Sequence, residues 1–81
     1  MNKTEFKTAI KLKRAAVEAL RADYLETLEG EIKRAGSMVG LAKLLGRSES
    51  FIRMVKKDGG LMTVKNCVEE IAVKLYGWDG K

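Results

Sequence analysis

The 81-residue chain carries 16 Lys or Arg against 11 Asp or Glu, no histidine, and a net charge of +5. That length makes one domain at most, with a modest core, and the single cysteine, Cys67, has neither a disulfide partner nor histidines for a zinc site. No apolar run approaches a membrane span, and polar residues stand where a signal peptide needs an apolar stretch, so the expectation is a soluble, cytoplasmic protein.

Residues 4–28 hold no proline or glycine and are rich in Ala, Leu, Lys and Glu, a composition that favours helix. Phe6, Ile10, Val17, Leu20, Tyr24 and Leu28 recur at spacings of three, four and seven and draw an apolar stripe along one side. Thr4 is the expected cap, with Glu5 in the first turn. Asp23, Glu26, Glu29 and Glu31 then form an acidic block, Gly30 interrupts the pattern, Ile32 continues the stripe, and Gly36 can close the helix. Residues 4–35 read either as one long helix or as two with a bend near Ala22. Ser37 is the expected cap of a helix over 38–45, stopped by Gly46. Ser48 caps a third helix running to about Lys57, ended by Gly59 and Gly60. Thr63 is the expected cap of a fourth, with Met62 stapled onto Cys67. Val64, Cys67, Val68, Ile71, Ala72 and Leu75 form its inner face, Gly77 ends it, and Trp78 is expected to fold back on Leu75. The fold class is therefore all-α, a small helix-turn-helix domain of four to five helices with a long N-terminal helix. Residues 1–22 form a basic amphipathic helix and residues 23–81 the domain.

Charge is unevenly distributed: residues 1–22 carry +4, 23–31 carry −4, 32–57 carry +6 and 58–81 carry −1. The most positive segment contains the two short helices over 38–57, and a local positive field attracts polyanions. Leu41, Leu45, Ile52 and Val55 are apolar where two steeply crossing helices must bury side chains. Ala42 is small at their closest approach, and Gly46 permits the turn. The second helix then presents small and long polar side chains outward, as a helix that enters a major groove does.

This pattern resembles the helix-turn-helix of the phage repressor and Cro proteins, the lambda-repressor-like family. With Met38 as the first residue of the motif, the family's alanine falls on Ala42, its glycine on Gly46, and its core positions on Leu41, Leu45, Ile52 and Val55. The likeness extends loosely from about Tyr24 to Tyr76. It implies a transcription regulator, repressor or activator, that binds operator DNA, commonly as a homodimer. It places the base-reading positions on Glu49, Ser50, Arg53 and Met54. The chain departs from the family at Arg47, where a small aliphatic residue is usual, at Glu49, often glutamine, and at Val55, often tryptophan.

Each position has a plainer reading beside this one. Arg53 either pairs with guanine O6 and N7 or stays paired with Glu49 four residues earlier. Ser50 either donates to DNA or is an ordinary first-turn serine. Glu49 either contacts a base or favours the helix dipole. Met54 either touches a thymine methyl or is a half-exposed core residue. Arg47, Lys56 and Lys57 are candidates for phosphate contacts, as are Lys43 and the backbone N–H groups at Ser37 and Met38. The stripe of Phe6, Ile10, Val17, Leu20 and Tyr24 either packs across the domain or pairs with a second copy. Lys7, Lys11, Lys13, Arg14 and Arg21 either reach flanking DNA or simply keep the helix solvated. Glu5 and Glu18 argue against a membrane-surface helix.

No enzyme is expected. Cys67 lies on an apolar face with no histidine to activate it, Glu69 and Glu70 read as solvent-facing and lack a partner cluster, and no glycine-rich phosphate loop is present. The sequence supports two other readings besides operator binding. One is a helix-turn-helix protein acting through protein contacts, RNA polymerase among them, and the other is a non-specific nucleic-acid binder.

Overall fold

The computed structural model describes residues 2–80, and among them every regular element is helical. The four helices are α1 (Lys3–Ala35), α2 (Met38–Leu45), α3 (Glu49–Asp58) and α4 (Leu61–Tyr76). The region 4–35 is thus one helix, with no bend at Ala22 and no new start at Asp23. Gly30 is carried inside it because helical neighbours on both sides hold the backbone. Its cap is Asn2 rather than Thr4: the Asn2 side chain accepts from the Glu5 N–H at 2.8 Å, and Glu5 reaches back to the Asn2 N–H. That reciprocal box satisfies two orphan donors, which Thr4 inside the first turn cannot do.

A 33-residue helix is about 50 Å long, and the molecule measures 50 × 28 × 17 Å, so α1 sets its longest dimension. Only the second half of α1 meets the other helices. Leu28 is fully buried and Tyr24, Leu25, Ile32 and Ala35 pack against the core. Arg21 marks the junction, donating from Nε to the carbonyl of Gly59 at 2.6 Å. Before it, Phe6, Ile10, Val17 and Leu20 are exposed, so within one chain they are not core.

The core joins Leu28 to Leu41, Ala42 and Leu45 of α2, Ile52 and Val55 of α3, and Val64, Cys67 and Ile71 of α4. Val68 and Leu75 pack at its edge. The start of α2 lies so close to the end of α1 that a Cβ on Gly40 would stand 2.6 Å from the carbonyl oxygen of Ala35. The fourth helix begins at Leu61 with Gly60 at its cap and no side-chain cap bond, two residues before Thr63. Met62 is 62% exposed and does not staple onto Cys67. Gly77 takes a left-handed conformation, and the Trp78 N–H returns to the carbonyl of Ala72 at 3.0 Å. The Trp78 ring then lines a cleft with Tyr24, Val68 and Ala72. No helix of the described residues is long and apolar enough to cross a membrane.

Candidate nucleic-acid interface

The turn between α2 and α3 is fixed by backbone bonds. Gly46 sits at φ 70°, its N–H reaches the carbonyl of Lys43 at 3.2 Å, and the Arg47 N–H reaches that of Ala42 at 2.8 Å. This paired arrangement closes α2 and needs the left-handed backbone that glycine supplies. Ser48 then starts α3 by accepting from the Phe51 N–H at 3.2 Å. Lys74 completes the corner, donating from Nζ to the Leu45 carbonyl at 2.8 Å and so adding positive charge at the end of α2.

Arg47 is clamped to α4. Its Nη2 donates to Glu70 Oε1 at 2.6 Å and its Nε to Oε2 at 3.2 Å, with the guanidinium 4.6 Å from the Phe51 ring centre. The hydrogen bond from Arg47 holds the Glu70 carboxyl below its ordinary range, and the same bond raises Arg47. Glu70 is therefore a partner of the turn, and Glu69 pairs with Lys65 at 3.0 Å; both are half-buried, which corrects the expectation that they simply face solvent. Arg47 spans 23 residues to find Glu70, and no periodicity along the chain signals such a pair.

Burial of Ile52 and Val55, both fully covered, fixes the rotation of α3. At 100° per residue this sends Ser50, Arg53 and Lys57 to the opposite side, with Met54 beside them. All four are exposed, Met54 to 44%, and α1 does not cover them. Glu49 is half-buried and ion-paired with Arg53 one turn on. Between α3 and the start of α2 lies a cleft of about 270 Å3 lined by Met38, Arg53, Lys56 and Lys57. The Ser37 hydroxyl accepts from the Gly40 N–H at 3.0 Å at that helix start. An anion in the cleft would meet three cations and the positive end of α2. Lys56 is shared with packing, its Nζ lying 3.8 Å from Glu29 of α1. Lys43 is exposed but does not line this cleft.

A second polar cluster, absent from the sequence reading, ties the end of α4 to α1. The Tyr76 hydroxyl donates to Glu31 at 2.8 Å and accepts from Arg34 Nη1 at 3.0 Å. That bond to Glu31 pushes the Tyr76 phenol up. Cys67 is buried, and burial raises its thiol above the usual range, which keeps it from thiolate chemistry. Among the described residues no group of Cys, Asp and Glu is placed to hold a metal ion.

The fold and this surface define a small all-α domain in which two short helices, α2 and α3, meet at a tight turn and α3 exposes Ser50, Arg53, Met54 and Lys57. Comparison with protein-family models, curated proteins and solved structures returned no match.

Proposed function

We propose that the chain is a sequence-specific double-stranded DNA-binding regulator that lays α3 in the major groove and acts by binding rather than by catalysis. The observation that carries this reading is the division of α3. Its inner side is fully buried through Ile52 and Val55, while Ser50, Arg53, Met54 and Lys57 stand exposed on the other. Arg53 reads guanine through its planar fork, and Ser50 lets the helix approach closely and donates. Lys57 and the start of α2 hold the phosphates that set register. The resemblance of residues 38–55 to phage repressors supports the same assignment.

The test is fluorescence anisotropy with a duplex chosen for tight binding. Affinity should fall with salt, and Arg53→Ala should abolish preference for that duplex over a scrambled one. Arg14→Ala, far along α1, should preserve the preference. Equal affinity for all duplexes would instead mark a general nucleic-acid binder. Biological activity without DNA affinity would mark a protein-contact role, which the projecting half of α1 favours.

A further inference from the structure

The first half of α1 stands clear of the domain and carries a long apolar stripe that none of the other described elements covers. Phe6 is 57% exposed, and Ile10, Val17 and Leu20 are also exposed. Phe6, Ile10, Lys13, Val17, Leu20 and Tyr24 alternate spacings of four and three, the repeat of a helix that pairs with another helix. The stripe does not stop at the domain. It runs into a cleft of about 530 Å3 lined by Tyr24, Val68, Ala72, Tyr76 and Trp78 together with Glu69, most of the lining being apolar.

We propose that the occupant of both features is a second copy of the chain. The two projecting halves of α1 pair antiparallel about residue 15, and each Phe6 seats in the cleft of the partner subunit. Three observations select this arrangement. Lys13 interrupts the stripe, and parallel pairing in register would set it against Lys13 of the partner subunit in an apolar layer. Antiparallel pairing sets it against Val17 of the partner subunit, where its stem can lie on the methyls while its ammonium reaches water. The same register brings Ile10 against Leu20 of the partner subunit and Phe6 against Tyr24 of the partner subunit at the mouth of the cleft. Finally, the same register lays residues 1–7, which carry +1, beside residues 23–29 of the partner subunit, which carry −3, whereas parallel copies set the two acidic blocks side by side.

The arrangement is two-fold symmetric, as closed dimers usually are. With a rise of 1.5 Å per residue, the two Leu28 positions lie about 39 Å apart along the helix pair. That is close to the 34–36 Å between half-sites one DNA turn apart. Only this spacing rests on the DNA-binding reading; the pairing itself does not.

Sedimentation of the full chain without DNA tests the pairing. The expected species has twice the 9.0 kDa chain mass. Phe6→Asp should convert it to monomer with unchanged helix content by circular dichroism, because Phe6 supports nothing within one chain. The single tryptophan, Trp78, reports the cleft directly, and its emission should shift to the blue on association in the wild type and not in Phe6→Asp. Spin labels on Lys3→Cys should lie about 36 Å apart along the pair. A monomer at 100 micromolar, a dimer indifferent to Phe6→Asp, or labels adjacent to one another would overturn the proposal. Loss of DNA preference with the dimer intact would count against the DNA-binding reading alone.

Discussion

Arg53 already has a partner in the free protein, the Glu49 carboxylate one turn earlier. A guanine contact must therefore replace that ion pair. Exposed pairs of this kind are worth little in water, and bidentate base pairing discriminates by about 1–3 kcal/mol, so the exchange favours DNA. Arg53→Ala should accordingly erase about 1–3 kcal/mol of preference between the best duplex and one changed at a single guanine, measured by competition. Lys57→Ala should weaken binding to both duplexes alike, since a phosphate contact carries no sequence information. Glu70 acts at the same scale but on the turn. Its folded-state carboxyl is lowered by the bond from Arg47, so the folded chain holds that proton less tightly than the unfolded chain. The stabilisation it brings is present above the ordinary carboxylate range and is lost as pH falls through the lowered value. Melting temperatures of wild type and Glu70→Gln should differ at neutral pH and converge in acid.

At the scale of elements, each helix end has a local reason, and the reasons differ in how openly the sequence displays them. Ser37, Ser48, Gly36, Gly46 and Gly77 act on their neighbours, so the ends of α1, α2 and α4 and the starts of α2 and α3 could be read directly. The start of α1 was missed because Asn2 and Thr4 are both good caps and only Asn2 has Glu5 three residues on. The start of α4 was missed because Gly60 caps it without a side chain, and the buried residue of its first turn is Val64. The α2–α3 core positions were legible because their spacing is periodic, whereas the Arg47–Glu70 and Tyr76–Glu31 pairs depend on three-dimensional approach. Two substitutions check these accounts. Gly30→Ala should stabilise the protein by up to about 1 kcal/mol, the helix-propensity gain, because a methyl there meets nothing within 4 Å. Ile52→Ala, at a fully buried position, should destabilise by about 2–5 kcal/mol, read from denaturant melts.

The whole molecule is a compact helical head with half of a long basic helix standing away from it. Its positive charge concentrates in residues 32–57, which hold α2 and α3, against a negative block in residues 23–31 whose Glu29 pairs with Lys56. That asymmetry gives the head one face suited to a polyanion, and each phosphate neutralised should add about 0.9 to the slope of log affinity against log salt. Lys57→Ala should reduce that slope by about one contact, whereas Lys43→Ala, outside the cleft of Met38, Arg53, Lys56 and Lys57, should change it less.

The central claim is that the side chains α3 turns to solvent are there to meet base edges. Selection of the full chain against a pool of random duplexes addresses it most directly. The account predicts enrichment of one sequence containing guanine, arranged as two inverted halves about one helical turn apart, and loss of that enrichment with Arg53→Ala. A pool that emerges unenriched, or a consensus untouched by changes at Ser50 and Arg53, would contradict it.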